Sequence, residues 1–129
     1  VIVLLDSTLI IDALRRRPAA LHVLQQVSAA GHTFAVSVIN VAEVYAGMRS
    51  GEEDRTARFF LGCDVYPVTL EIARRGGELR NRAARRGQTL ELDDMLVAAT
   101  ALVMDLNVYT DNVKDFKKAG VTFYAPSEN

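Results

Sequence analysis

Three carboxylates and one polar cluster stand out for where they fall against apolar segments. Asp6 directly follows the run VIVLL, Glu43 is embedded in VINVAEVYAGM, and Asp94 opens DMLVAATALVM, while Asp111, Asn112 and Asp115 follow NVYT. Carboxylates drawn together repel, and each raises its neighbours' pKa. A fold keeps such a cluster readily when a cation neutralises it. Oxygen ligands with no Cys or His in the set favour a hard ion, Mg2+ or Mn2+. Such an ion activates water and stabilises charge on phosphoryl and leaving oxygens, so the chemistry expected of these residues is phosphodiester hydrolysis.

Whether they meet depends on the elements that carry them. Residues 1–5 are apolar and β-branched, which suits a strand covered on both faces. Asp6 and Ser7 end it and can cap a helix through Leu14. Pro18 suits the first turn of a second helix reaching about residue 30. Residues 34–38 read as a strand, and Ser37 or Asn40 caps a helix through Met48. A helix over 52–61 and a short strand over 65–67 follow. Residues 69–86 form a long amphipathic helix. Residues 93–106 are apolar nearly all round, the mark of a buried helix. A strand over 108–110, a polar turn and a last strand over 121–124 complete the chain.

Strands alternating with helices predict an α/β fold of three layers, α/β/α, with a mainly parallel central sheet. Such sheets place their sites beyond the carboxyl ends of the strands. Asp6 lies there directly, and Glu43 lies in the helix leaving the second strand at that edge. From Asp94 the buried helix runs away for about 18–20 Å at ~1.5 Å per residue. The next strand climbs back about 13 Å at ~3.3 Å per residue and delivers Asp111, Asn112 and Asp115 near the level of Asp94. All candidates are expected at one end of the sheet.

Taken singly, each residue has a plainer role. Asp6 can serve as a helix cap. Asp93 and Asp94 suit the start of a helix, where the macrodipole favours negative charge by about 0.3–1 kcal/mol. Glu43 can pair with an arginine, although small Ala46 and Gly47 beside it leave open space, and burial without a partner would be costly. Asp111, Asn112 and Asp115 lie where polar residues are ordinary. The combination carries the argument.

The chain of 129 residues fits one domain, expected over residues 1–129, with half its residues hydrophobic. A formal charge of -1 hides an uneven distribution, since six of the fifteen basic residues fall at positions 74–86. The balance argues against strong nonspecific binding to polyanions and leaves a specific polyanionic partner open. Cys63 is the single cysteine, which excludes an intrachain disulfide and a cysteine-built metal site. The longest apolar run, 95–104, is too short for a bilayer, which needs about 20 residues. The first residues have no basic leader or small-residue cleavage site. A cytoplasmic protein with no membrane segment is the expectation.

Three stretches in order, IVLLDSTLIIDAL, SVINVAEVYAG, and LDDMLVAATAL followed by NVYTDNVKDF, resemble the PIN-domain ribonucleases, and within them the VapC-type toxins of bacterial toxin–antitoxin modules. The likeness spans nearly the whole chain. It implies that Asp6 and Asp94 bind the metal, that Glu43 is the family's glutamate, and that Ser7 is the small hydroxyl residue after the first acid. Asp93 is the neighbour of Asp94. Thr110, Asn112, Asp115 and Phe116 match the last motif; the fourth acid is open between Asp111 and Asp115, with Asn112 able to coordinate through its oxygen. The resemblance further implies single-strand RNA cleavage leaving a 5′-phosphate and a 3′-hydroxyl, Mg2+ or Mn2+ as cofactor, inhibition of translation, a cognate antitoxin and a homodimer. A catalytically inactive PIN-like module that binds RNA or protein is the alternative.

On the substrate side, Ser7, Arg82 and Arg86 are the candidates for contacting RNA. Arg82 and Arg86 share a helix face with Arg75 and can hold RNA phosphates, or equally form a solvated face paired with Glu71 and Glu78. Tyr45 and Tyr66 can stack on bases or pack in the core. Leu9, Ile10, Leu21 and Leu24 can contribute to a groove for an antitoxin helix or to the core. Other chemistries fit worse. A haloacid-dehalogenase-like phosphatase wants a second aspartate where Thr8 stands, a phosphate receiver wants one near Val65, and a histidine-based ribonuclease would rely on His22 or His32, both expected toward the opposite edge.

Overall fold

A computed structural model describes residues 1–125. The strands β1 (Ile2–Leu5), β2 (Thr33–Ser37), β3 (Asp64–Tyr66), β4 (Asn107–Tyr109) and β5 (Thr122–Phe123) form one sheet in the order β3-β2-β1-β4-β5. Every pairing is parallel. The helices are α1 (Ser7–Leu14), α2 (Pro18–Ala29), α3 (Val38–Ala46), α4 (Glu53–Leu61), α5 (Leu70–Arg85), α6 (Leu92–Met104) and α7 (Val113–Ala119).

The pleat of β1 divides the core in two. Successive side chains of a strand point to opposite faces, so Leu4 enters one apolar cluster while Val3 and Leu5 enter the other. On the Leu4 side, Ala35 and Val108 meet Met95, Val97, Ala98 and Ala101 of α6 and Phe116 and Ala119 of α7. On the other side, Val36 meets Leu9, Ile10 and Ala13 of α1, Ala20 and Val27 of α2, and Val44 of α3. Helices therefore cover both faces, giving the three-layer α/β/α arrangement that the alternating pattern predicts.

The apolar all-round helix is indeed central: Met95, Val97, Ala98, Ala99, Thr100 and Ala101 are all buried. Alanines let α5 and the sheet approach closely. Gly76 of α5 carries this furthest, since a Cβ there would stand 3.1 Å from the Met95 carbonyl oxygen and 3.2 Å from Leu96 Cα.

Element limits agree with the sequence reading to within a residue or two, the usual uncertainty of helix and strand ends. One element differs in kind. The segment expected as a polar turn after β4 contains α7. Its seven residues are mostly charged or polar, which masks Phe116 and Ala119, three apart on its inner face and both buried. Phe116 is fully enclosed, and truncation of such an anchor costs about 3–5 kcal/mol. Gly120 ends α7 at φ +83°, a conformation glycine adopts without strain. Among the described residues no helix is long and apolar enough to cross a membrane.

Candidate active site

The sheet order sets where a site can form. Chain connections leave β1 toward β2 on one side, and the later pair β4-β5 lies on the other, so the order reverses between β1 and β4. In parallel sheets the crevice at such a reversal, beyond the carboxyl ends, is where ligands bind. Asp6 follows β1 and Thr110 follows β4 at this point, and Asp6 N continues the ladder by donating to Tyr109 O at 3.1 Å.

Asp6 is fixed from two sides. Its Oδ1 accepts from the Ser7 amide at 2.8 Å, the capping role its position allows. Its Oδ2 accepts from Thr110 Oγ1 at 2.6 Å, and the same hydroxyl accepts from Asn112 N at 3.0 Å. The cap is thus also part of a bridge between the two strand ends.

Glu43 is reached through a buried relay. Ser37 caps α3 by accepting from Ile39 N, and Asn40 closes the reciprocal box by accepting from Ser37 N at 2.9 Å. Asn40 is fully buried; its Nδ2 donates to Ser7 Oγ at 3.0 Å, and Ser7 Oγ donates onward to Glu43 Oε1 at 2.8 Å. The Ser7 hydroxyl is thereby engaged within the protein, and the residue is only 8 % exposed.

Asp94, in the first turn of α6, is half-buried and accepts from Asn112 Nδ2 at 3.3 Å, and the same nitrogen donates to Asp115 Oδ2 at 3.2 Å. A neutral amide thus sits between two carboxylates that would otherwise repel. Asp93 is exposed beside Glu43, and Asp111 is exposed with no hydrogen bond to the group.

The electrostatics follow from this crowding. Burial, first, and then the Asp93 carboxyl close enough to share a proton push Glu43 up to about 7; the Asp6 charge adds to this and the Ser7 hydroxyl opposes it. Burial again leads for Asp94, raised to about 6, with Asp93, Asp6, Asp115 and Glu91 contributing. The four ion pairs among the described residues involve none of Asp6, Glu43, Asp93, Asp94 or Asp115. The arginine partner that could have explained Glu43 is absent from them.

Asp6, Glu43, Asp94, Asn112 and Asp115 therefore come together, with Asp93 added. Among the described residues, no three acidic, histidine or cysteine side chains are grouped closely enough to hold a metal ion by themselves. The donor set remains all oxygen, under-neutralised and at the switch point. Sequence reasoning missed Asn40 as the hub of the relay and Thr110 as the tie on Asp6; the S-x-x-N spacing of a capping box pointed to the first.

Other candidates lie elsewhere. Arg82 and Arg86 are at the end of α5, exposed, and border a cavity with Lys118 and Gly120 at the far end of α7 from Asn112. Arg82 also reaches Glu78 at 3.6 Å. Tyr45 stacks on Phe60 with centroids 6.0 Å apart, and His32 meets Tyr124 edge-on. Leu9 and Ile10 are buried among α1, α2 and the sheet, so they are inaccessible to a docking helix; Leu21 stays exposed beside Leu14, Arg55, Arg58 and Phe59.

The family model for the PIN domain matches residues 3–121. Among curated proteins, the chain is 39% identical over 114 residues to ribonuclease VapC10 of Mycobacterium tuberculosis, covering 88% of this chain and 85% of that protein. It is 36% identical over 113 residues to ribonuclease VapC19 of the same species, covering 88% and 90%. Among solved structures, a toxin–antitoxin complex from Klebsiella pneumoniae superposes with a TM-score of 0.75 at 30% identity, covering 88% of this chain and 89% of that one. VapBC2 from Rickettsia felis, bound to a promoter DNA fragment, shares the fold with a TM-score of 0.80 at 21% identity, covering 96% and 98%.

Proposed function

The chain belongs to the PIN-domain family, alongside relatives named VapC ribonucleases, and from that premise we propose that it is a metal-dependent endoribonuclease, the toxin of a toxin–antitoxin pair. The observation that carries the reading is the group of unpaired carboxylates at the switch point, with Glu43 and Asp94 both pushed above the ordinary acid range. Groups held so, with no cation beside them, fit a site for a divalent ion.

Asp6 and Asp94 are the ligands in this reading, with Glu43, Asp115, Asp111 and the Asn112 amide oxygen as further donors. Mg2+ takes one or two carboxylates and completes its shell with waters and substrate phosphates, so it does not require three acidic side chains grouped around it, an arrangement not found among the described residues. Bound there, Mg2+ or Mn2+ would neutralise the phosphoryl oxygens and acidify the attacking water. The chain's own residues do the rest. Thr110 and the Ser7 amide hold both oxygens of Asp6 in one orientation. Ser7 aims Glu43, a carboxylate that can accept a proton from water. Asn112 keeps Asp94 and Asp115 at a fixed separation.

The same reading takes RNA as substrate, an antitoxin as inhibitor, a homodimer as assembly, one nuclease domain and a cytoplasmic setting in which translation is blocked. The relatives solved as toxin–antitoxin complexes support the antitoxin. The test incubates pure protein with labelled structured RNAs in Mg2+, Mn2+ or chelator. Metal-dependent cuts leaving a 5′-phosphate, abolished in Asp94→Asn, are the expected result. No cutting under any metal, with RNA bound equally by parent and Asp94→Asn, would identify an inactive binding module instead.

A further inference from the structure

The basic stretch of α5 is unused by the carboxylate site, and α7 gives it a partner. Arg75, Arg82 and Arg86 line one wall of a cavity of about 270 Å³, and Lys118 and Gly120 at the end of α7 line the other, with Gln88 between them. No acidic residue lines it. At about 30 Å³ per water it has room for a hydrated phosphate group. Arg75 Nε is buried and without a hydrogen-bond partner among the described residues. None of Arg75, Arg86 and Lys118 takes part in an ion pair among those residues. Four cations are thus gathered, and a buried donor left open, at a concave surface where only Arg82 has an acidic partner, Glu78 at 3.6 Å.

Cations that gain nothing from the protein's own acids gain from an external anion. Arginine forks match phosphate oxygens and the lysine adds a point charge. We infer that the Arg75–Arg82–Arg86–Lys118 cavity is a phosphate-binding subsite that takes a backbone phosphate of the RNA strand away from the bond being cut. Its place follows from α7. Asn112 and Asp115 stand at the start of that helix and Lys118 and Gly120 at its end, so both sites lie along one helix that rises about 12 Å from Asn112 to Gly120 at ~1.5 Å per residue. One rigid element would thereby fix the spacing between anchored and cleaved phosphates. The substrate assignment rests on the nuclease reading; the cavity's affinity for phosphate does not.

The test uses full-length Asp94→Asn protein, which should bind without cutting, and compares it with Asp94→Asn carrying Arg86→Gln and Lys118→Gln. Both added changes are at exposed positions, and thermal melting checks the fold. Binding of a labelled single-stranded RNA is measured across salt concentrations. The triple variant is expected to bind at least fivefold more weakly at low salt, with the log–log salt slope reduced by about 0.7 for each phosphate it no longer neutralises. Arg75→Lys, which keeps the charge and removes the fork, should weaken binding without changing the slope. An unchanged affinity and slope in the triple variant would overturn the proposal. Inorganic phosphate is titrated in parallel: if its binding depends on Arg86 and Lys118 while RNA binding is unaltered, the site serves a free phosphate and the RNA assignment is overturned. Weakened RNA binding in a protein that never cuts RNA would leave the subsite standing and remove the nuclease reading alone.

Discussion

Ser7 Oγ donates to Glu43 Oε1 at 2.8 Å across 36 residues of sequence, while accepting from the buried Asn40 amide. One hydroxyl therefore joins the helix after β1 to the helix after β2 and holds a carboxylate that burial alone would leave more readily protonated.

Replacing Ser7 with Ala should act on two measurements. Asn40 Nδ2 loses its acceptor in a fully buried position, a change worth about 1–3 kcal/mol in urea denaturation. Glu43 loses the hydrogen bond that lowers its pKa, so the acid limb of the pH–rate profile should move to higher pH. An unchanged profile would show that Glu43 is oriented by other means.

Stability of the metal-free protein should fall as pH rises. Glu43 is raised from 4.5 to about 7 and Asp94 from 3.8 to about 6. Between the lower and upper values the folded state holds protons that the unfolded chain has released, so the slope of unfolding free energy with pH is negative there. Melting in chelator should therefore decline from about pH 4 to pH 7. Glu43→Gln and Asp94→Asn should flatten the decline and melt higher than the parent at pH 7.5. Added Mg2+ or Mn2+ should raise the parent's melting temperature and have little effect on Asp6→Asn.

Thr110→Val keeps the shape of the side chain and removes the donor to Asp6 and the acceptor for Asn112 N. A drop of about 1–3 kcal/mol in stability is expected. RNA cleavage should fall by a larger factor than stability explains, through kcat, because Asp6 keeps only one of its two orienting hydrogen bonds.

Two adjacent glycines of α5 should respond oppositely to alanine. At Gly77 a new Cβ meets nothing within 4 Å, and the helix gains about 0.5–1 kcal/mol. At Gly76 it would lie 2.9 Å from Leu96 Cδ2 and 3.1 Å from Met95 O, and overpacking of about 1–3 kcal/mol outweighs the helix gain. The displaced turn adjoins Asp94, so Gly76→Ala should also reduce cleavage.

Much of this architecture is legible in the sequence because its determinants are local. Apolar β-branched runs mark β1 and β2, and the uniform apolarity of α6 reflects its cover on several sides. Asp6 is placed at the carboxyl edge because it follows β1 directly, and Glu43 because α3 leaves β2 there, while β4 returns the chain to bring Asn112 beside Asp94. The rest depends on packing between distant segments. Phe116 reads as an isolated aromatic among charges until the sheet encloses it, which is why α7 is hidden in the sequence. Asn40 reads as a cap until Ser7 arrives from 33 residues away. Arg75 and Lys118 read as separate solvated charges until the fold sets them around one cavity.

Anomalous diffraction from crystals grown with Mn2+ locates a divalent ion at Asp6 and Asp94 without reference to activity. A peak bounded by Asp6 and Asp94, within reach of Glu43 and Asp115 and missing in Asp94→Asn crystals, is the predicted result. Crystals of the parent protein saturated with Mn2+ that show no peak at these carboxylates would exclude a metal centre there.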